Sequence, residues 1–469
     1  ADLQETLRLF IRDAYQKWGI DYVLLGGDSD VLPPRYVINT FYPTNGSTAI
    51  PCDLYFACLD GNWNADGDSY FGEPITTTST GDAADFAEEV YVGRAAVSSA
   101  AAATVFVNKV IAYENTAAGA GWTNRALFAA EVLFPEDFHV QQYIILDGAK
   151  FAAEQINNHI VPCTDMEYTR MYETDLLYPR DAPLTRAALV DTLNNGRYGI
   201  FNQIGHGYYF NMSVGDANFM TTDADNLTNA GHSFVMYALN CASAAFDNSC
   251  LLERFVQNPN GGAVCSLGSV RAAFPNNSNS YQQEFFSELY CTTENRVGRL
   301  MALSRLPFIG LTANNYVDRW TFENYALLGD PTLPIWTGSP QTLSVAGPAS
   351  LAIGAQAAAF TVTAGGQPVA GARVCLQKAG EELAWGLTDA AGQVSLGVLP
   401  TSTGSASVVV TGRNLARKVI TVPVVAGGSY LKVESAVIAD NGSGGSIGNG
   451  DGFADAGETI AIWPVLRET

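Results

Sequence analysis

The residues of this chain best placed to do chemistry are His206 and Cys241. Each closes a short apolar run. Tyr198-Gly-Ile-Phe-Asn-Gln-Ile204 stops at Gly205-His206-Gly207, and Phe234-Val-Met-Tyr-Ala-Leu239 stops at Asn240-Cys241. A thiol becomes a useful nucleophile when a base takes its proton, and a neighbouring imidazole supplies that base. The glycines flanking His206 let a substrate backbone approach, and the N–H groups of Gly207 and Cys241 are placed to hold an oxyanion. The expected chemistry is acyl transfer: Cys241 attacks a carbonyl, and His206 protonates the leaving amine, then assists water. His232 and Cys250 close no such run, lying in a loop and a helix-like segment.

Positioning this pair requires two neighbouring strands. Short runs rich in β-branched and aromatic residues, bounded by Gly and Asn, read as buried strands. Side by side in a parallel sheet, they deliver His206 and Cys241 together to its carboxyl edge, where open α/β sheets build their sites. Tyr22–Leu25, Glu89–Val92, Arg125–Ala130 and Gly262–Leu267 read as further strands. Leu3, Leu7, Phe10, Ile11, Ala14 and Trp18 have the spacing of one helical face, as do apolar residues within 101–114. Glu131, at the end of its strand, is placed either to orient His206 or to serve as a loop ion-pair partner. Asp147 reads as a helix N-cap, and Arg271-Ala-Ala-Phe274-Pro275 as a loop at the same sheet edge.

A second constellation is made of oxygen ligands. From Asn62, oxygen-bearing side chains fall at Asn62, Asn64 and Asp66, then Gly67, Asp68 and, at the twelfth position, Glu73. That is EF-hand calcium spacing without EF-hand helices, and Asp60 is an alternative ligand for the Asn at position one. A calcium ion there is structural, because hard oxygen sites do little acid–base work. Asp440, Asn449, Asp451, Asp455 and Glu458 form a second candidate cation loop with no fixed ligand spacing. No organic cofactor is expected.

The 469 residues imply roughly three domains at about 150 each. A net charge of −22 argues against nucleic acid or an anionic membrane as partner, and no apolar run is long enough for a membrane span. Eight cysteines do not fix the compartment, and Cys52 and Cys58 are close enough in sequence to pair. The α/β pattern occupies 1–336, with 1–120 and 121–336 as two candidate subdomains. Residues 337–425 carry short strands and regular turn signals, the pattern of a β-sandwich, and 426–469 form a partial β segment around the acidic Gly/Asn-rich loop.

The chain resembles the gingipain-type cysteine peptidases. The match runs through Tyr22-Val-Leu-Leu-Gly-Gly-Asp28 with Pro33-Pro34, Val90-Tyr-Val-Gly-Arg94, Gly205-His206-Gly207, Asn240-Cys241 and Leu327-Leu-Gly-Asp-Pro331. The resemblance implies a caspase-like sheet flanked by helices, followed by an immunoglobulin-like domain. It also implies a secreted or cell-surface bacterial endopeptidase with His206 and Cys241 as its dyad, acting on protein or peptide and holding structural calcium. Asp147 matches the position from which such enzymes select a basic residue before the scissile bond. Two other readings are compatible with the same residues: a calcium-stabilised, non-catalytic surface or adhesion protein, and a transpeptidase sharing the acyl-enzyme. Oligomeric state is not legible.

Overall fold

The computed structural model describes residues 2–39, 49–74, 81–134, 146–313, 316–381, 383–426 and 431–468. They form two compact units, residues 1–340 and 341–469.

The first unit is built on one sheet. Its strands, in chain order, are β1 (Tyr22–Gly26), β2 (Tyr91–Ala95), β3 (Arg125–Ala130), β4 (Glu167–Tyr172), β5 (Ala182–Pro183), β6 (Ile200–Ile204), β7 (Phe234–Leu239), β8 (Ala263–Ser269) and β9 (Tyr325–Leu328). The spatial order is β1-β2-β9-β8-β7-β6-β3-β4-β5. Every pairing is parallel except β8 with β9. The expected subdomains therefore share one sheet, joined where β9 inserts beside β2 through the single register pair Leu328–Arg94.

Helices cover the sheet, so its central strands are buried on both faces and read as continuous apolar runs rather than alternating ones. Along β6 and β7, Phe201, Met236 and Ala238 face one apolar cluster, while Ile200, Ile204, Val235, Tyr237 and Leu239 face the other. A polar network crosses the core. Asn202 of β6, Gln155 of the helix Gly148–Gln155 and Gln282 of the helix Pro275–Cys291 form a closed ring in which each amide donates once and accepts once. All three are fully buried, so the ring ties two helices to the strand that carries His206.

The first helix, α1 (Leu3–Trp18), starts at Asp2, whose carboxylate accepts from Glu5 N–H at 2.8 Å, and stops at Gly19 with φ of 64°. Its buried face differs from the expected one. Arg8, Ile11 and Ala14 are buried, while Leu3, Phe10 and Trp18 are exposed. Arg8 is drawn inward because its guanidinium caps Cys58 O and Asp60 O. Arg94, at the β2 tip, is wholly buried, paired with Asp53 through two 2.7 Å bonds and donating to Gly27 O and Leu32 O.

Cys52 and Cys58 do not pair. Both are free thiols buried in the core, and the disulfide joins Cys163 to Cys291 instead, across 128 residues.

The second unit contains two sheets around one core. Phe360 and Val362 from one sheet meet Val374, Val408 and Val410 from the other. The strand Gln356–Ala364 alternates buried and open positions, as a sandwich face requires. Residues Leu431–Ala439 and Ala461–Glu468 form a separate antiparallel pair. Tyr430, expected at its start, lies outside the described residues.

Candidate active site

The register delivers the two candidate catalytic side chains to one edge. β6 pairs with β7 so that Ile204 faces Leu239, and with β3 so that Ile204 faces Ala130. Glu131, Gly205 and Asn240 therefore stand level just beyond the sheet, and His206 and Cys241 one step further. Two bonds carry this alignment past the strand ends, Glu131 N–H to Ile204 O at 3.0 Å and Gly205 N–H to Leu239 O at 3.1 Å.

Both glycines around His206 are required by close approach. A Cβ on Gly205 would lie 2.5 Å from Glu131 Oε2, and one on Gly207 would lie 2.8 Å from Asn240 Cγ.

The His206 side chain is solvent-exposed, packs edge-to-face on Phe134 with ring centroids 5.7 Å apart, and contacts Leu133 O through Nε2 at 2.8 Å. A carbonyl only accepts, which assigns the proton to Nε2 and leaves Nδ1 with the basic lone pair. Glu131 does not touch the imidazole. Its Oε2 accepts from His206 main-chain N–H at 2.9 Å, and Oε1 accepts from Gly215 N–H at 2.8 Å and from the Ser213 hydroxyl. It fixes the chain that carries the ring.

Cys241 is partly buried. Its Sγ accepts from Ala273 N–H at 3.4 Å. Burial pushes the thiol pKa up, with the Ala273 N–H acting in the opposite direction, so the resting sulfur is a thiol that needs a base at the moment of attack. The expected loop at Arg271–Phe274 thus supplies a direct contact to the Cys241 sulfur. Arg271 anchors that loop through a bidentate pair with Asp247 at 2.9 and 2.6 Å and a bond to Ala49 O. Ala242, next after Cys241, has φ of 57° without being glycine, a conformation costing on the order of 1–2 kcal/mol.

The two candidate oxyanion donors are differently placed. Cys241 N–H has no partner among the described residues. Ser213 N–H bonds to His206 O at 2.9 Å, which makes Gly207 and Met212 a non-hydrogen-bonded antiparallel pair and turns Gly207 N–H away from that hairpin.

Asp147 is buried and acts as the N-cap of the helix Gly148–Gln155, accepting from Ala149 N–H at 2.8 Å. Burial raises its pKa, opposed by that bond. It pairs in register with Val132, beside the Leu133–Phe134 segment that contacts His206. Residues 135–145, immediately before it, lie outside the described residues.

Residues with no sequence signal complete the site. Asn240 Nδ2 donates to Gln203 Oε1 at 2.7 Å, bridging the two strand tips. Ser269, at the end of β8, bonds the main chain on both sides of Cys241.

In the 62–73 loop, the carboxylates of Asp66, Asp68 and Glu73 converge within 4.8 Å of one another. Asn64 Oδ1 is buried without a hydrogen-bond partner among the described residues. Gly67, with φ of 76°, makes the turn. An orphaned acceptor beside converging carboxylates fits a hard cation. Asp82 braces the loop from outside, accepting from Glu73 N–H at 3.4 Å and from Ala65 N–H. Asp60 departs from the expected ligand set: its carboxylate groups with Asp85 and Glu89 instead, because Arg8 and the Asn62–Ala83 pairing hold that strand end away from the loop.

In the second candidate loop, Asn449 Nδ2 donates to Asp451 and Asp455 at 3.2 and 3.3 Å. Glu458 accepts from Asn449 N–H at 2.9 Å, and Asp440 accepts from Gly450 and Asp451 N–H groups at 2.9 and 3.0 Å. Its acidic side chains are thus partnered by the loop itself.

A mostly parallel sheet thus brings the segments bearing His206 and Cys241 to adjacent strand tips. The profile described as peptidase family C25 matches residues 2–336, and the chain belongs to that family. It is 25% identical over 422 residues to Lys-gingipain of Porphyromonas gingivalis, covering 84% of this chain and 21% of that protein. It is 22% identical over 369 residues to Gingipain R2 of the same species, covering 75% of this chain and 43% of the relative. The chain thus spans less than half the length of either relative. The crystal structure of the Arg specific cysteine proteinase gingipain R shares the fold with a TM-score of 0.71 at 18% identity, covering 90% of this chain and 88% of that one.

Proposed function

We propose that this chain is a cysteine endopeptidase working through an acyl-enzyme on Cys241. The observation that carries the reading is the pairing of Ile204 with Leu239, the strand ends from which the His206 and Cys241 segments leave the sheet. His206 Nδ1 takes the thiol proton as sulfur attacks the peptide carbonyl. The N–H groups of Cys241 and Gly207 receive the oxyanion. His206 then protonates the departing amine and, in the second half, deprotonates the water that releases the acyl group.

A basic residue before the scissile bond is the favoured substrate feature. Asp147 is the acidic side chain that the resemblance assigns to that role, and the similar proteins include a Lys-gingipain and an Arg specific cysteine proteinase. Calcium is the structural ion, held by Asn62, Asn64, Asp66, Asp68 and Glu73, where it would neutralise converging carboxylates. The disulfide supports an oxidising, extracellular or surface location; among the described residues no helix is long and apolar enough to cross a membrane.

The test is a positional library of fluorogenic peptides, comparing the unmodified protein with Cys241→Ala in millimolar calcium. Turnover lost in the variant, with cleavage after Arg or Lys, is the expected result, and Asp147→Asn should flatten that preference. Absence of turnover together with an unreactive Cys241 would overturn the peptidase reading.

A further inference from the structure

The Cys241 backbone is held by a single buried side chain. Ser269 is fully buried at the end of β8. Its hydroxyl donates to Asn240 O and accepts from Ala242 N–H at 3.1 Å. Its own carbonyl accepts from Ala244 N–H at 3.0 Å, while Ala242 N–H is shared with Arg271 O at 2.8 Å. The peptide groups before and after Cys241 therefore converge on one residue, and Ala242 stays in a left-handed conformation that no glycine relieves.

This grip sets a direction. The peptide between Asn240 and Cys241 is trans, and in a planar trans peptide C=O and N–H point opposite ways. With Asn240 C=O turned inward to Ser269, Cys241 N–H is turned outward, where no described residue takes it. The Asn240 side chain, tied to Gln203 at 2.7 Å, prevents the unit from swinging along the edge.

We infer that Ser269 is a positioning residue that aims Cys241 N–H at the oxyanion, acting on the main chain rather than on the sulfur. The inference rests on the peptidase reading above. It separates two steps: alkylation of the thiol needs no oxyanion donor, whereas peptide hydrolysis and thiohemiacetal formation with a peptide aldehyde do.

The experiment compares the unmodified protein, Ser269→Ala, Ser269→Thr and Ala242→Gly. The readouts are kcat and KM on the best library peptide, inhibition by the matching peptide aldehyde, and the rate of Cys241 alkylation by iodoacetamide, normalised to folded protein. Ser269→Ala should lose roughly tenfold to a hundredfold in kcat and a comparable factor in aldehyde affinity. KM and the alkylation rate should stay within about twofold, and Ser269→Thr should recover part of the loss. Ala242→Gly, which lets the elbow relax without touching the core, should lower kcat while its melting temperature is maintained or raised. Retention of kcat in Ser269→Ala, or an equal fall in alkylation, would overturn the inference while leaving the peptidase reading intact. An unmodified protein with neither turnover nor aldehyde binding would overturn both.

Discussion

Glu131 holds His206 by the main chain, its Oε2 2.9 Å from the His206 nitrogen, while the imidazole turns to Leu133 O. The carboxylate is buried and gathers His206, Ser213 and Gly215 into one turn. Bonds to a charged acceptor contribute about 1.5–3 kcal/mol each when buried. Glu131→Ala should therefore lower both the melting temperature and kcat. Denaturant unfolding and steady-state kinetics on the same preparation check this. A variant that loses activity at unchanged stability would point to a direct role in the chemistry instead.

The buried amide ring makes a purely structural prediction. Asn202→Ala leaves Gln155 and Gln282 without one partner each and opens a cavity, and should cost about 2–4 kcal/mol. Chemical denaturation measures it. A loss below about 1 kcal/mol would mean that the ring is dispensable.

Glu253 predicts a pH effect on stability. Burial, with the neighbouring Asp28 second, pushes its pKa up to about 9. A carboxyl raised in the folded state contributes its full stability below the unfolded value near 4.5, and loses it as pH rises toward about 9. Glu253→Gln keeps an acceptor for Cys250 N–H, which Glu253 now receives at 3.0 Å, and cannot ionise. It should melt higher than the unmodified protein at pH 8 and close to it at pH 4. Identical melting profiles across that range would refute the assignment.

Calcium removal supplies the fourth test. If the 62–73 loop holds the ion, excess EGTA should lower the melting temperature by roughly several degrees, following the linkage between binding and stability. Asp66→Asn with Glu73→Gln should make the transition insensitive to EGTA. A transition that EGTA leaves unmoved in the unmodified protein would remove the ion from this loop.

The elements bearing the site were legible because chemistry and periodicity agreed there. Buried parallel strands are apolar throughout, so the ends of β6 and β7 announced themselves, and each ended in a reactive side chain. The supports were hidden because they depend on register. Gln203 and Asn240 meet across two strands that sequence does not align, and Ser269 looks like any small residue closing a strand. Glu131 was visible as a strand-end carboxylate, yet its partner, a main-chain N–H, has no signature. Cys52 and Cys58 looked like partners by proximity along the chain, whereas Cys163 meets Cys291 only because helices distant in sequence pack together. The convergence of Asp66, Asp68 and Glu73 was readable from fixed spacing, whereas Asp60 groups with Asp85 and Glu89, its carbonyl held by Arg8, fifty-two residues away in sequence.

The Cys163–Cys291 bridge encloses both His206 and Cys241 within the 128-residue span it closes. Leu176 and Leu177, 86% and 63% exposed, stand on the surface inside that span, just before Arg180 in the sequence. A cut there would sever the polypeptide without separating the molecule. The nicked form would keep both His206 and Cys241 on one covalent fragment, run as intact protein on a non-reducing gel, and reveal two pieces only after reduction.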